Sequence, residues 1–305
     1  MTLVGSDLLA VDPLSGHIGA EVTGLRLGGA DAGLDPETMW ALRQVILEHR
    51  VVFLRGQHHL DVKSHQGFAR LLGPLTLSHP SAGAQAGGSR IFSVDATRGG
   101  RASHWHSDVT FADAPPAFSV LRALRVPPCG GDTLWANTVA AYQSLPAAGR
   151  AMVEALWARH SNRFDHESKY GPGGPGRAEE TAHFQSAPFV ADHPVVQVHP
   201  ETGERAILLG GHALSLRGVS RSDSEHLYNL VQDAVTRPEN TVRWRWRPGD
   251  VAIWDNRSTQ HYALNDYGDF PRLMHRVTVA GEIPVGVDGR RSVLVEGDTT
   301  GYLAG

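Results

Sequence analysis

The chain has 305 residues, 41% of them hydrophobic and 20% charged, which is the composition of an ordinary globular protein and excludes a disordered one. The 28 basic and 32 acidic residues give a formal net charge of −4, and this balance provides no basic excess for binding nucleic acid. A single cysteine excludes an internal disulfide or a multi-cysteine metal site, whereas 17 histidines direct attention to metal and acid–base chemistry.

The sequence carries no sign of export or membrane insertion. Its first residues lack a basic segment followed by an apolar one, and apolar runs such as residues 51–54 are far too short to cross a bilayer. We therefore expect a cytoplasmic protein with no membrane contact and no nucleic-acid partner. No repeat or linker divides the sequence, so one domain over residues 1–305 is expected.

Three helices are predicted, and the first two have clear end signals. The first begins at the N-cap Asp35, which is followed by proline and an acidic residue. The second runs over residues 61–72 and ends at a glycine. The third is expected over residues 222–235, with one apolar face. The side chains expected on that face are Leu227, Leu230 and Val231.

Short apolar segments bounded by glycine and proline recur along the whole chain and predict strands. The predicted strands are residues 18–27, 51–54, 117–124, 195–198, 206–209, 242–246, 251–254 and 273–280. Together with the helices they indicate a mainly β fold with flanking helices. Residues 81–89 and 169–186 are rich in glycine and small residues, and we expect them to be mobile loops that cover a site.

The segment His104-Trp-His-Ser-Asp-Val-Thr-Phe111 is the most informative part of the sequence. In an extended chain, His106 and Asp108 would project from the same face, because alternate residues of a strand share a face. With one distant histidine they would form the 2-His-1-carboxylate set of non-haem Fe(II) oxygenases. His261, which follows the predicted strand at 251–254, is the candidate. A solvated strand edge would also account for an isolated H-x-D.

The same segment permits a second interpretation. His104, His106 and Asp108 resemble the H-x-H-x-D-H motif of metallo-β-lactamase-like zinc hydrolases. That motif requires a histidine directly after the aspartate, where this chain has Val109. The departure removes a ligand of the second metal ion, so the zinc-hydrolase alternative is the weaker one.

Two arginines on the last predicted strand point to anion binding. Arg272, Met274 and Arg276 would share one face of that strand. Buried arginines are costly unless each meets an anion, and a guanidinium binds carboxylate or sulfate through a planar fork of donors. The alternative is a pair of exposed arginines on an edge strand.

Four ordered segments resemble the taurine dioxygenase family of Fe(II)/2-oxoglutarate-dependent dioxygenases. They are WHSDVTF at 105–111, GGDTLWAN at 130–137, WDNRSTQHY at 254–262 and RLMHR at 272–276. The phrases HPETGER and PGDVAIWDNR are most similar to the alkylsulfatase branch, whose members are sulfate-ester dioxygenases. The resemblance implies a double-stranded β-helix, or jelly roll, with helical insertions.

The resemblance also implies a role for several residues. It implies Fe(II) ligands at His106, Asp108 and His261. It implies that Thr133 and Arg272 bind the far carboxylate of the cosubstrate 2-oxoglutarate, with O₂ as the second cosubstrate. It implies contacts to a substrate sulfate or sulfonate from His79, Arg276 and the backbone N–H of Val109. No further catalytic residue is implied beyond the iron centre.

The expected reaction is hydroxylation of the carbon next to a sulfate ester in a small anionic organic substrate, which releases aldehyde and sulfate along with succinate and CO₂. Ala82 and Ala102 replace a tyrosine and an asparagine of taurine dioxygenase, and these departures favour a roomier, less polar pocket. The same chemistry on taurine, another organic anion or a specialised metabolite remains an alternative, as does a non-catalytic jelly-roll binding protein. The resemblance suggests a homo-oligomer, either a dimer or a tetramer.

Overall fold

The computed structural model describes residues 9–28, 34–78, 90–96, 103–163 and 188–303. The loops predicted at 81–89 and 169–186 lie outside these residues. Within them, no helix combines the length and the apolar character that a bilayer crossing requires.

The described part of the chain is mainly β, with helices packed around the sheets. Its strands are β1 (Ala10–Pro13), β2 (Ala20–Thr23), β3 (Val51–Leu54), β4 (Phe92–Asp95), β5 (Phe118–Arg125), β6 (Thr133–Asn137), β7 (Trp157–Ser161), β8 (Val190–Pro194), β9 (Val196–Val198), β10 (Arg205–Ile207), β11 (Ala213–Leu216), β12 (Thr241–Trp244), β13 (Val251–Asp255), β14 (Thr259–Ala263), β15 (Leu273–Val279) and β16 (Val293–Glu296). Its α-helices are α1 (Pro36–His49), α2 (Val62–Leu72), α3 (Thr138–Ser144), α4 (Ala147–Glu154), α5 (Arg221–Val235) and α6 (Thr300–Leu303).

The strands form one large sheet and three smaller ones. The seven-stranded sheet has the order β1-β2-β3-β13-β5-β15-β4, and its neighbours are antiparallel except for β2 and β3. The smaller sheets have the orders β11-β7-β8-β16, β12-β6-β14 and β10-β9. β13 lies in the middle of the large sheet and packs into a core on each face, and its sequence Val-Ala-Ile-Trp is accordingly apolar without alternation.

The two faces of β13 pack into different cores. Val251 and Ile253 join the core under α1 and α2, together with residues such as Phe68. Ala252 and Trp254 point the other way and join Trp135 of the three-stranded sheet. The alternation follows from the two-residue period of a strand, and it places the three-stranded sheet opposite the helices.

The predicted start of α1 and both predicted ends of α2 are confirmed. The Asp35 carboxylate accepts the Thr38 N–H at 2.9 Å, and proline occupies the first helical position. Asp61 and Ser64 cap α2 reciprocally, because each side chain accepts the other residue's backbone N–H. Each of the eight predicted strands overlaps an observed one, although the segment at 18–27 contributes only β2.

The predicted buried face of α5 is wrong at one position. Leu230 is 53% exposed, whereas Val231 is buried and Leu227 is partly buried. The buried face of α5 consists of Ser224, Val231, Ala234 and Val235. These residues recur at helical spacing and form one stripe along the helix. Leu230 lies to one side of that stripe, and the apolar pattern of the sequence does not show this offset.

A buried ion-pair network fixes the turn after β13. The Asp255 carboxylate accepts Arg257 Nη2 at 2.7 Å and His199 Nε2 at 2.9 Å, and all three side chains are buried. Arg257 Nη2 also donates to Glu201 at 2.7 Å. Burial raises the pKa of Asp255, but the charge of Arg257 and the hydrogen bonds from His199 and Arg257 outweigh it, so that the net pKa is lowered. The carboxylate is therefore charged and fully partnered.

Substituting Asp255→Asn should destabilise the fold by about 3–5 kcal/mol, because it leaves Arg257 as a buried cation without its main partner. Urea unfolding at neutral pH measures the change. Glu225→Gln is the matched control: it removes an exposed partner of Arg221, and its effect should stay below about 1 kcal/mol. Equal effects of the two substitutions would contradict the structural role of the network.

The same network predicts a pH dependence. The folded-state pKa of Asp255 lies below its ordinary value of 3.8, so its contribution to stability is complete above that value. This contribution to stability is then lost as the pH falls below the ordinary value and through the folded-state pKa, where Asp255 becomes protonated in the folded protein. Unfolding free energies measured from pH 6 downward should show this loss for the wild type, and the Asp255→Asn curve should be flatter over the same range.

Candidate metal centre

A pair of reciprocal backbone hydrogen bonds brings two histidines together. His106 N–H donates to His261 O at 3.0 Å, and His261 N–H donates to His106 O at 2.8 Å. Residues paired in this way carry their side chains on the same face, and the two imidazole centroids lie 4.1 Å apart. His261 is part of β14, whereas His106 lies outside the strands.

Asp108 joins the two histidines, although not in the manner that the sequence predicted. We expected His106 and Asp108 to project from one strand, and this is wrong, because the chain turns at Asp108 and Val109 has a φ of +54°. The turn nevertheless brings the Asp108 carboxylate toward the histidines. Its Oδ1 atom lies 3.9 Å from His106 Nε2 and 3.7 Å from His261 Nε2.

Neighbouring side chains fix the orientation of Asp108. The Ser119 hydroxyl donates to Oδ2 at 2.7 Å, which turns Oδ1 toward the histidines. The Asn256 side chain accepts the Asp108 N–H at 2.7 Å and donates to the Asp108 carbonyl at 3.1 Å. A guanidinium nitrogen of Arg276 contacts Oδ1. Asn256 lies in the sequence segment 254–262 and Ser119 in the predicted strand 117–124, but neither contact to Asp108 was predicted.

The three side chains fit a divalent metal ion. Their candidate ligand atoms all lie within 4.8 Å of one another in a buried cluster. Two atoms that each bind one ion at about 2 Å can be at most about 4 Å apart, and the two distances to Asp108 meet that condition. His106 Nδ1 lies 2.9 Å from the His104 carbonyl, which can only accept, so Nδ1 carries the proton and Nε2 presents its lone pair.

His104 is not a member of this cluster. Among the described residues, the one group of three metal-ligating side chains is His106, Asp108 and His261. The His104 ring instead stacks on the His106 ring, with centroids 4.6 Å apart. This arrangement disfavours the zinc-hydrolase alternative, which needs His104 as a ligand. Two imidazoles and one carboxylate are the donor set typical of non-haem iron oxygenases.

Arg272 and Thr133 lie together in a second polar pocket. Arg272 donates from Nε to Gly131 O at 3.1 Å and from Nη2 to Thr133 Oγ1 at 3.4 Å. The Arg272 side chain is buried, and burial lowers the pKa of its guanidinium. Within the described part of the chain it forms no ion pair with a carboxylate. A buried cation of this kind is a site for an anionic ligand.

Trp246 completes this pocket, a contact that was not predicted from the sequence. Its indole Nε1–H donates to Thr133 Oγ1 at 2.9 Å, and both side chains are buried. Because tryptophan and arginine can only donate, the Thr133 oxygen accepts from both, and its own proton is directed to a third group. The alternation Arg-Trp-Arg-Trp-Arg at 243–247 is a signal that could have indicated inward-facing tryptophans, but it contains no information on this contact.

Arg276 lies at the border between the candidate metal centre and an apolar cluster. Its guanidinium sits over the Phe92 ring, 5.0 Å from the centroid. The nearby cluster consists of Leu77, Val109, Phe111, Ala112, Phe189 and Tyr302. Burial raises the pKa of Tyr302 to about 12, so its phenol is neutral. Tyr302 was not predicted, because nothing in the sequence linked the C-terminal helix to this site. His79 lies outside the described residues.

The fold and the donor set together define the class of non-haem metal oxygenases, and the comparisons with known proteins agree. A family model described as taurine catabolism dioxygenase TauD, TfdA family matches residues 10–278. An alpha-ketoglutarate-dependent sulfate ester dioxygenase from Pseudomonas putida is 49% identical over 285 residues, 93% of each chain. An alkylsulfatase from Acinetobacter baylyi is 47% identical over 288 residues, 92% of this chain and 88% of the other.

A solved structure gives the same result. A taurine dioxygenase from Burkholderia xenovorans matches with a TM-score of 0.79 and 39% identity, covering 97% of this chain and 98% of the other. The chain therefore belongs to the taurine catabolism dioxygenase (TauD, TfdA) family, and it is an oxidoreductase of the dioxygenase class. The family membership predicted from sequence is confirmed.

The orientation of Asp108 predicts an effect on metal binding. Ser119→Ala removes the hydrogen bond to Asp108 Oδ2 and should weaken Fe(II) or Mn(II) binding by about 10- to 100-fold, as is typical when a residue that orients a ligand is lost. Anaerobic metal titration measures the affinity. Ser107→Ala is the matched control, because the Ser107 hydroxyl is also buried beside the site but donates to Thr259 O. Equal losses in both variants would contradict the proposed orientation.

Proposed function

We propose that this protein is an Fe(II)/2-oxoglutarate-dependent dioxygenase that acts on sulfate esters through a jelly-roll domain spanning residues 1–305. The reaction hydroxylates the carbon that bears the ester oxygen. The resulting hydroxy ester breaks its C–O bond to leave an aldehyde and hydrogen sulfate, while 2-oxoglutarate and O₂ give succinate, CO₂ and the hydroxyl oxygen. The names of the relatives in Pseudomonas putida and Acinetobacter baylyi support this substrate class.

The convergence of His106, Asp108 and His261 carries the proposal. Two imidazole nitrogens and one carboxylate oxygen meet in a buried cluster, and they would hold Fe(II) on one side. The remaining coordination positions of such an ion are open to small molecules. Bound Fe(II) and 2-oxoglutarate would supply the oxidising chemistry that no protein side chain provides.

Thr133 and Arg272 support 2-oxoglutarate as the cosubstrate. The Arg272 guanidinium is buried beside Thr133 and has no carboxylate partner among the described residues, so a carboxylate of the cosubstrate would supply the missing charge. Trp246 directs the Thr133 hydroxyl proton away from the indole and toward that carboxylate. This pocket would bind one end of the cosubstrate while the other end faces the metal.

Arg276 and Val109 support an anionic substrate. Arg276 reaches the Asp108 carboxylate from β15, so an anion bound to its remaining donors would lie next to the metal centre. The Val109 backbone N–H faces no acceptor among the described residues and would add a further donor. His79 is proposed as a third contact on the strength of the family resemblance. The apolar cluster beside these groups suits the hydrocarbon part of an alkyl sulfate.

The protein's own contribution is to orient the substrate and to limit the access of water. An anion bound to Arg276 and Val109 fixes one end of the substrate, so the adjacent carbon is presented to the metal in few orientations. His106, Asp108 and His261 are each less than 10% exposed. Restricted access of water protects a reactive site from unproductive side reactions.

A substrate panel tests the proposed reaction. The purified protein, supplied with Fe(II), 2-oxoglutarate and O₂, should release succinate with hexyl sulfate faster than with taurine or a chlorophenoxyacetic acid. Free sulfate should appear in a one-to-one ratio with succinate. Turnover after iron is removed by a chelator would contradict the iron-dependent mechanism. Faster turnover of taurine or of the phenoxy acid would contradict the proposed sulfate-ester substrate and would identify that other compound class as the substrate.

The two arginines should have separable effects. Arg272→Ala should raise the KM for 2-oxoglutarate by about 100-fold and leave the KM for hexyl sulfate within about twofold, because it removes a buried charge from one ligand only. Arg276→Ala should show the reverse pattern. Steady-state kinetics with each ligand varied in turn measures both constants. Parallel losses for both ligands in either variant would refute this division of roles.

A further inference from the structure

Val109 occupies a backbone conformation that its side chain disfavours. Its φ is +54°, in the left-handed region, and among the described residues only one other non-glycine residue has a positive φ. A β-branched residue is a genuine outlier there, because its side chain crowds the backbone. Surrounding contacts must therefore hold it in place.

The left-handed conformation is accompanied by two successive backbone donors that no described acceptor uses. Within the described part of the chain, neither Val109 nor Thr110 has an acceptor for its N–H group, although Ala112 N–H donates back to Val109 O at 3.0 Å. Successive N–H groups next to a left-handed residue form a concave surface that attracts anions. This surface adjoins Asp108, whose carboxylate is in contact with Arg276.

Asn256 holds the segment on the Asp108 side. Its side chain accepts the Asp108 N–H at 2.7 Å and donates to the Asp108 carbonyl at 3.1 Å, so the peptide that leads into Val109 cannot rotate freely. A second bond from Asn256 to Pro116 O, at 3.1 Å, fixes the amide itself.

His193 and His160 hold the segment on the other side. His193 Nε2 lies 2.7 Å from the Thr110 carbonyl, and His160 Nδ1 lies 2.9 Å from the Thr110 hydroxyl. The two imidazoles come from the neighbouring strands β8 and β7 and pack edge to face, with centroids 5.0 Å apart. Both are fully buried, and neither belongs to the cluster of candidate metal ligands.

The hydrogen-bond direction at His193 is determined by its partners. Burial lowers the pKa of His193 to about 4, so the ring is neutral at neutral pH and has one N–H. That N–H is on Nε2, because the Thr110 carbonyl can only accept. Nδ1 is then the acceptor for the Ser292 hydroxyl, at 2.7 Å. The ring is thus locked in one tautomer and one orientation.

We infer that His160 and His193 are positioning residues, which hold Val109 in its left-handed conformation so that the N–H groups of Val109 and Thr110 face the sulfate of the substrate. This inference rests on the proposed function. The two histidines are far from the metal ligands in the sequence. The inferred role affects the affinity for the substrate and not the binding of the metal or the cosubstrate.

The test measures affinity for hexyl sulfate by calorimetry, without O₂, on protein loaded with Mn(II) and 2-oxoglutarate. His193→Leu should raise the Kd by about tenfold, the size expected for weakened hydrogen bonds to a charged group. The Kd for 2-oxoglutarate should change by less than about twofold. His193→Gln can still donate to the Thr110 carbonyl and should retain most of the affinity. Thr110→Val removes the partner of His160 with little change in shape and should also weaken binding.

A Val109→Gly substitution distinguishes a positioning role of His193 from a general effect on stability. Glycine enters the left-handed region without strain, so Val109→Gly introduced into the His193→Leu protein should recover part of the lost affinity. His226→Leu is the control for loss of an imidazole, because His226 lies exposed on α5, and it should leave both Kd values unchanged. Thermal unfolding of each variant verifies that it is folded.

The outcomes distinguish the inference from the proposed function. If wild-type protein binds hexyl sulfate and His193→Leu and Thr110→Val bind it equally well, the positioning role is refuted. Equal losses for hexyl sulfate and 2-oxoglutarate, or no recovery with Val109→Gly, refute it as well. If the wild type itself binds no hexyl sulfate but still binds Mn(II) and 2-oxoglutarate, the proposed sulfate-ester substrate is wrong, and so is the sulfate-facing role inferred from it.

Discussion

The candidate site depends on one short piece of antiparallel pairing, between His106 and His261. Two reciprocal backbone hydrogen bonds join segments that are far apart in the sequence, and they place the two imidazoles side by side. The partner strand β14 is itself fixed by its ladder with β6, in which His261 lies opposite Trp135. A rigid sheet therefore determines the spacing of the histidines, as a preorganised metal site requires.

Two buried carboxylates lie on either side of Asn256 and differ in how their charge is met. Asp255 is fully partnered by Arg257 and His199, and its role is to hold the turn. Asp108 has one oxygen bound by Ser119, while the other faces two histidines and Arg276. The first arrangement is self-sufficient, whereas in the second the lone pair of His106 Nε2 faces a carboxylate oxygen. A cation held between these two atoms would satisfy both, which is the pattern expected of metal ligands.

Features whose signal lies within a short segment, or within several ordered motifs, could be predicted from the sequence. The caps of α1 and α2 and the central strand β13 follow from short segments, and the group of His106, Asp108 and His261 follows from the resemblance of four segments to a known family. Contacts that depend on tertiary structure were not predictable in this way. The hydrogen bond from Trp246 to Thr133 joins residues on different segments, and the left-handed turn at Val109 replaces a predicted strand because Asn256 and His193 override its local preference. The assignment of residues 81–89 and 169–186 as mobile loops stays a prediction.

The spacing of Arg272, which directly precedes β15, and Arg276, which lies within it, supports the proposed separation of cosubstrate and substrate sites. Arg276 follows Arg272 by four positions, which corresponds in extended chain to about 13 Å between their Cα atoms. Arg276 contacts Asp108 at the candidate metal centre, whereas Arg272 contacts Thr133 in a separate pocket. Under the proposed function, a five-carbon diacid with one end at the metal would place its far carboxylate on Arg272 and Thr133. Arg276 and the Val109 N–H would then remain for a second anion, so the two arginines would bind two different negatively charged ligands.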